Sequence, residues 1–182
     1  IALTLVFAVA CSASEPPTEV VEEMEGVFIE APETSSDLPM YRGGPARTGV
    51  YRTKGVLETP EVKWVFQAHQ GIRSSAVVTE DKVLIGSDDG NFYALDADTG
   101  ETVWTFETED MIRTSPLVAD GVVYFGGDDG FMSSVDLEDG EVVWRHRIRG
   151  KARSSPVIER GTIFFGTDAG FLQAHDARTG LQ

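Results

Sequence analysis

Residues 94–104 read Ala94-Leu95-Asp96-Ala97-Asp98-Thr99-Gly100-Glu101-Thr102-Val103-Trp104, and this stretch decides the fold because it is one copy of a repeat. A tryptophan, an aspartate and a glycine recur at intervals of 40 residues without any gap, as Trp64, Trp104 and Trp144, as Asp96, Asp136 and Asp176, and as Gly90, Gly130 and Gly170. A fixed period of about 40 residues with short strand-like segments is typical of a β-propeller, in which one blade is repeated around an axis.

Each unit is predicted to form four short antiparallel strands. In the second unit these strands cover about 114–119, 122–126, 131–137 and 141–147. The first two are almost continuously apolar, which is typical of strands packed on both faces. Asp120-Gly121 and Asp129-Gly130 predict two-residue hairpin turns, because glycine tolerates positive φ. Residues 61–66 match the fourth strand without a complete blade before them, so we expect them to be the closing strand of the last blade.

The chain is expected to have three parts. Residues 1–10 are apolar apart from Thr4, which fits the apolar part of a secretory signal and is too short for a membrane span. Residues 11–39 contain eight acidic side chains and no Lys or Arg, a composition that predicts a solvated, disordered tether. Residues 40–182 are predicted to hold about three blades plus the closing strand. Because three blades cannot close a ring, we expect them to be part of a larger propeller, of seven or eight blades.

Cys11 is the only cysteine of the chain and directly follows the apolar segment. Ala8 and Ala10 before it resemble a bacterial lipobox, in which the cysteine receives lipid, and Ser12 after it favours sorting to the outer membrane. The sequence therefore predicts an exported protein that is lipid-anchored to the outer membrane and faces the periplasm. The alternative is an ordinary cleaved signal followed by an incidental cysteine.

The charge balance limits the class of partner. The 182 residues contain 15 Lys plus Arg and 30 Asp plus Glu, giving a net charge of −15. Nucleic-acid binding is not expected, because neutralising phosphates requires clustered cations.

A single cysteine excludes an internal disulfide framework within these residues.

The segment 93–104 resembles the repeat of the pyrroloquinoline-quinone-like (PQQ-like) propellers, whose blades carry the pattern Ala-x-Asp-x-x-Thr-Gly-x-x-x-Trp. The second unit has Asp139 in place of the threonine, whereas the third keeps Thr179-Gly180. The resemblance covers about residues 40–182 and implies an all-β propeller of four-stranded antiparallel blades. The family contains quinoprotein dehydrogenases and also cofactor-free members, among them a lipoprotein of the outer-membrane β-barrel assembly machinery.

Catalytic chemistry is not predicted from these residues. The dehydrogenases of this family use adjacent cysteines, calcium ligands and a tryptophan stacked on the quinone, but this chain has no cysteine pair. The three tryptophans share one repeat position and are interpreted as packing between blades. The loop at Asp96 fails the EF-hand pattern, because Gly100 occupies the fifth position instead of a ligand. We therefore predict no catalytic residue, no cofactor and no metal. A PQQ-dependent and calcium-dependent dehydrogenase, or a sensory propeller binding a small ligand, stays as an alternative.

One recurrent feature points to function. Arg73, Arg113 and Arg153 hold the same position just before the first strand of each unit. The resemblance to PQQ-like propellers implies that this strand is innermost, so the arginines are expected at one mouth of the central channel. Guanidinium groups suit carboxylates, and a basic ring on an acidic protein would attract an acidic partner. The alternative is that each arginine pairs with an aspartate of a neighbouring blade, such as Asp88 or Asp128. Together with the family resemblance, which implies outer-membrane assembly components as partners, this feature favours a non-catalytic envelope scaffold that binds protein partners.

Overall fold

The computed structural model describes residues 61–182, so the signal segment, Cys11 and the acidic tether lie outside the described residues. These residues form eleven strands and no helix: β1 (Val77–Val78), β2 (Lys82–Gly86), β3 (Asn91–Asp96), β4 (Thr102–Glu107), β5 (Leu117–Ala119), β6 (Val122–Gly126), β7 (Phe131–Asp136), β8 (Val142–Arg147), β9 (Val157–Glu159), β10 (Thr162–Gly166) and β11 (Leu172–Asp176).

The strands form three separate antiparallel sheets, each from consecutive strands. Blade 1 is β1-β2-β3-β4, blade 2 is β5-β6-β7-β8, and blade 3 is the three-stranded β9-β10-β11. This arrangement confirms the predicted all-β fold built from four-stranded antiparallel blades.

The strands of blade 2 begin and end close to the predicted positions, except that β5 is shorter. It covers only Leu117–Ala119, whereas the prediction began at 114. The hydroxyl of Thr114 donates to the carbonyl of Gly126 (2.7 Å) and accepts from its N–H (3.1 Å). A side chain therefore satisfies the backbone groups that a longer strand would have paired, and Pro116 in between has no N–H to contribute.

The two hairpin predictions in blade 2 have different outcomes. Asp120 (φ 51°) and Gly121 (φ 75°) form the expected two-residue turn between β5 and β6. The prediction for Asp129-Gly130 is wrong, since four residues (127–130) connect β6 to β7 and only Gly130 has positive φ. The wider loop forms because the N–H of Gly127 already bonds the carbonyl of Phe131, and the Asp129 carboxylate accepts from the Phe131 N–H.

Each repeated tryptophan reaches from one blade, or from the segment before blade 1, to the turn of the next. The indole N–H of Trp104 donates to the carbonyl of Leu137 (3.0 Å), and that of Trp144 donates to the carbonyl of Ala177 (2.8 Å). Gly140 lies against the Trp104 ring, where an added Cβ would stand 2.8 Å from the indole. The glycine of the repeat pattern is therefore required by the tryptophan of the preceding blade.

Apolar side chains between neighbouring blades form the core. Phe92 of blade 1 and Phe125 of blade 2 are fully buried and stack at 4.2 Å between ring centroids. Residues 61–66 are not a strand and pair with no strand among residues 61–182, although the Trp64 indole still donates to the carbonyl of Ala97 (3.0 Å). Their role as the closing strand stays a prediction.

Candidate functional site

The three arginines of the repeat lie where the chain crosses to the inner strand of each blade. Arg73, Arg113 and Arg153 each precede the first strand of a blade by four residues. The turns that join β2 to β3 and β6 to β7 are at the same end of the blades and carry Asp88 and Asp128. The structure therefore brings the predicted arginines together with the aspartates that the sequence offered as their partners.

Arginine and aspartate alternate along this end of the blades, in a set we call the Arg–Asp ladder (Arg73, Asp88, Arg113, Asp128 and Arg153). Asp88 accepts from Arg73 of its own blade (2.7 Å) and from Arg113 of the next blade (2.8 Å). Asp128 contacts Arg113 of its own blade (3.5 Å) and Arg153 of the next blade (3.1 Å). Each carboxylate thus joins two blades.

The two aspartates of the ladder differ in electrostatic setting. The hydrogen bond from Arg113 is the main reason that the pKa of Asp88 is lowered, and the hydrogen bond from Arg73 acts in the same direction. Burial instead raises the pKa of Asp128, with the nearby cations opposing it. One oxygen of Asp128, Oδ1, is buried without a hydrogen-bond partner. Asp88 is therefore well matched by its partners, whereas Asp128 is under-compensated.

The arginines of the ladder are not equally available to a partner. The side chain of Arg113 is 26% exposed and bonds both aspartates through Nε, Nη1 and Nη2. The side chains of Arg73 and Arg153 are 67% and 40% exposed, and each contacts an aspartate through a single nitrogen. Arg73 and Arg153 can therefore bind a partner while each keeps its ion pair with an aspartate. The partner-binding role of the three arginines stays a prediction.

The recurrent serine pairs have structural contacts. The hydroxyl oxygen of Ser115 accepts from the backbone N–H of Ser75 (2.9 Å), and that of Ser155 accepts from the N–H of Ser115 (3.1 Å). Each hydroxyl thus ties the start of one blade to the start of the preceding one. Such repetition is typical of blade-to-blade packing and not of a nucleophile.

The described residues do not fit a quinone platform or a metal centre. Trp104 and Trp144 are buried with their indole N–H groups bonded to backbone, so neither presents an open ring face for a cofactor. Within residues 61–182, no group of three or more His, Cys, Asp or Glu side chains is arranged to hold a metal ion. The absence of a cofactor in the whole protein stays a prediction.

The aspartate of the repeat caps its own turn. Asp96 accepts from the N–H groups of Asp98 (2.9 Å) and Thr99 (2.7 Å) and from the Thr99 hydroxyl (3.0 Å). The backbone hydrogen bond from Thr99 is the main cause of the lowered pKa of Asp96. The carboxylate is therefore occupied by turn groups, which is the reason an aspartate is needed at this place in each blade.

Arg153 was among the predicted site residues, but the four cations that precede it were not. Arg145, Arg147, Arg149 and Lys151 lead along β8 and the following loop towards Arg153. The signal that could have found them is a cation at every second residue, in a stretch without any acidic side chain.

No helix among the described residues has the length and apolar character needed to cross a membrane.

The 40-residue repeat, the antiparallel blades and the indole between each pair of blades together define a PQQ-like repeat β-propeller. The family model described as outer membrane protein assembly factor BamB matches residues 52–182. The chain belongs to this family, since the match covers well over half of its length. Among curated protein sequences, none matches the chain significantly.

Solved structures with the same fold come from two functional classes. The crystal structure of BamB from Moraxella catarrhalis is 22% identical (TM-score 0.59), with 66% of this chain and 39% of that chain covered. Quinohemoprotein alcohol dehydrogenase ADHIIG from Pseudomonas putida HK5 is 21% identical (TM-score 0.57; 64% and 20% covered). The enzyme of the same type from Comamonas testosteroni is 22% identical (TM-score 0.55; 62% and 20% covered). The chain therefore spans two fifths or less of the length of these proteins.

Proposed function

We propose that this protein is a non-catalytic propeller scaffold of the cell envelope, which binds protein partners in outer-membrane β-barrel assembly. The observation that carries the proposal is the match of residues 52–182 to the BamB family. The acidic composition supports a protein partner over nucleic acid, since phosphate binding would require a basic surface.

The exposed ends of the Arg–Asp ladder provide a docking point for such a partner. Arg73 and Arg153 have guanidinium nitrogens that bond no group among residues 61–182, and both side chains are substantially exposed. A carboxylate of the partner can be bound by these donors without breaking the existing pair with Asp88 or Asp128. Arg113 then holds the blades in register between them.

The location proposed for the protein follows from its N-terminal sequence. The apolar residues 1–10 direct export, and Cys11 receives the lipid that anchors the chain to the outer membrane, with the propeller in the periplasm. Replacing Cys11 by Ser should abolish metabolic labelling with palmitate. Labelling that survives in the Cys11→Ser variant would contradict the anchor but not the scaffold role.

The scaffold role is tested by crosslinking the full-length protein in its native membranes, followed by affinity purification and mass spectrometry. We expect outer-membrane β-barrel assembly components to be recovered with it. The Arg73→Glu/Arg153→Glu variant should recover less of them, whereas Arg160→Glu should not. Arg160 is 92% exposed in its side chain and lies in the β9–β10 turn, at the opposite end of the blade. Recovery of the protein alone would contradict the assembly role.

The dehydrogenase alternative shares the fold but gains no support from the described residues. At 21% to 22% identity, the likeness to the alcohol dehydrogenases shows the fold alone. Trp104 and Trp144 are enclosed between blades, and residues 61–182 include no candidate metal cluster.

A further inference from the structure

The strongest concentration of positive charge in the chain lies between blades 2 and 3. Residues 145–153, which we call the basic crossing segment, carry a cation at every second position and no acidic residue: Arg145, Arg147, Arg149, Lys151 and Arg153. These are five of the 15 Lys and Arg residues of a chain whose net charge is −15. A third of all cations thus falls within nine residues, all of which the structure describes.

The fold itself does not require these charges. The equivalent segment between blades 1 and 2 is residues 105–113, and it has Glu107 and Glu109 where the basic crossing segment has Arg147 and Arg149. Both segments make the same connection, from the last strand of one blade to the first strand of the next. Since opposite charges are accepted at equivalent places, the positive charge of the basic crossing segment calls for an explanation other than folding.

Some of the five cations are engaged within the protein. Arg145 binds the buried carboxylate of Asp129 (2.5 Å) and lies over the Phe131 ring (4.3 Å). Lys151 pairs with Asp110 (3.0 Å), and Arg153 pairs with Asp128 of the ladder. These three therefore have local partners that account for much of their charge.

Arg147 and Arg149 are the exception. Both are exposed, and neither guanidinium has a carboxylate partner among residues 61–182. Arg149 lies 5.6 Å from the centre of the Phe171 ring, which is itself 44% exposed. The segment thus presents two unneutralised guanidinium groups and an aromatic surface to a partner.

The backbone beside these arginines suits an extended chain. β8 pairs with β7 on one side only, so its other edge has backbone groups that no strand of residues 61–182 covers. Arg147 is the last residue of β8, and Arg149 lies two residues further along, in the bend that follows the strand. An extended peptide paired with the free edge of β8 would end beside both guanidinium groups, where its carboxylates can reach them.

We propose that the basic crossing segment binds an extended acidic segment of a partner protein, with alternate carboxylates on Arg147 and Arg149. The inference rests on the proposed function, because it assigns a chemistry and a place to the protein partner. An anionic membrane surface fits less well, because Glu107 and Glu109 of the neighbouring crossing segment are exposed and would be repelled by it.

Peptide titration with the full-length chain tests this inference. The probe is a fluorescein-labelled peptide of alternating Glu and Thr residues, and the matched probe has Gln in place of each Glu. Fluorescence anisotropy should show salt-dependent binding of the Glu peptide only. The Arg147→Glu/Arg149→Glu variant should bind it at least about tenfold more weakly, since it replaces two attractive charge pairs by two repulsive ones.

The matched control reverses charge at the equivalent positions of the other crossing segment. Glu107→Arg/Glu109→Arg should bind the Glu peptide as tightly as the unchanged protein or more tightly. Circular dichroism of both variants should match the parent, because all four side chains are exposed. Equal weakening by both variants, or equal binding of the Glu and Gln peptides, would overturn the inference.

Three further outcomes show whether this inference, the scaffold role or both fail. Salt-dependent binding to vesicles containing anionic phospholipid, lost in Arg147→Glu/Arg149→Glu, together with no binding of the Glu peptide, would replace the acidic peptide by a membrane. If the assembly components are still captured by crosslinking while the Glu peptide does not bind, the inference fails and the scaffold role stands. If the parent protein captures no assembly component, the scaffold role fails as well.

Discussion

At the residue scale, Asp88 and Asp128 show how two aspartates of the same repeat position come to differ. Arg113 and Arg73 together lower the pKa of Asp88, so its charged form is favoured by folding. Burial raises the pKa of Asp128, so its charged form is disfavoured by folding, although Arg113 and Arg153 are near. The charged forms of the two carboxylates therefore differ in stability, although each aspartate lies between two arginines of the ladder.

This difference predicts a pH-dependent stability. A carboxylate with a lowered pKa in the folded state stabilises it above the unfolded pKa of about 3.9, and this contribution is lost as the pH falls through the folded value. A carboxylate with a raised pKa has the opposite sign, so folding is favoured as the pH falls through its folded value. Asp88→Asn should therefore cost about 2 kcal/mol at pH 7 and much less at pH 3.

The matched variant for this prediction is Asp128→Asn, which should cost less than Asp88→Asn at pH 7 because it also removes a desolvated charge. Urea unfolding of the full-length chain at the two pH values measures both. A larger loss of unfolding free energy at pH 7 for Asp128→Asn than for Asp88→Asn would contradict the conclusion that folding favours the charged form of Asp88 and disfavours that of Asp128.

At the scale of elements, the contact between blades depends on one indole and one glycine. Trp104 lies on β4, and Gly140 precedes β8 in the next blade, with positive φ (75°) and the indole against it. Gly121 has the same φ (75°) in the β5–β6 turn, but a Cβ there would meet no atom within 4 Å. The two glycines thus share a backbone conformation and differ only in their contact with a neighbouring blade.

These glycines provide a matched pair of variants. Gly121→Ala should cost about 1 kcal/mol, from the left-handed backbone alone. Gly140→Ala should cost about 2–4 kcal/mol, because overpacking against the indole adds to the same backbone strain. Urea denaturation curves would measure both, and near-ultraviolet circular dichroism should change only for Gly140→Ala. Equal costs would mean that the indole moves freely and does not fix the spacing of the blades.

At the scale of the whole molecule, the fold is shared by assembly proteins and by quinone-dependent enzymes, and Trp104 and Trp144 are occupied in packing between blades. The indoles of Trp104 and Trp144 fill the space between blades and bond backbone carbonyls at 3.0 Å and 2.8 Å. These two indoles hold the blades together and are not available to stack on a cofactor.

Binding of the quinone gives the corresponding prediction. Equilibrium dialysis of the full-length chain against PQQ, with and without Ca²⁺, should show no stoichiometric binding, and tryptophan fluorescence should be unchanged apart from absorption by the quinone. The positive control is any purified PQQ-dependent alcohol dehydrogenase stripped of its cofactor. One equivalent of PQQ bound in the presence of Ca²⁺ would support the dehydrogenase alternative instead.

The sequence by itself determined the architecture of the described region, because every blade of a propeller repeats the same strands, turns and contacts. The 40-residue spacing of Trp104 and Trp144, the Asp120-Gly121 turn and the near-continuous apolar strands of blade 2 each report contacts that recur in every copy. Such repetition lets the strand positions be predicted within a few residues, with β5 and the β6–β7 turn as the exceptions. Those two depend on side-chain hydrogen bonds of Thr114 and Asp129, which strand and turn propensities do not show. Ser74 and Asp89 make the same bonds in blade 1.

Only the tertiary structure decided which charges are paired and which are available. The sequence placed Arg73, Arg113 and Arg153 at equivalent positions, but their exposure and their aspartate partners depend on how adjacent blades meet. The same holds for the basic crossing segment, where Arg145 is neutralised by Asp129 while Arg147 and Arg149 are not. The physical reason is that strand periodicity is a local property of the chain, whereas the partner of a charged side chain is set by residues from a neighbouring loop or blade.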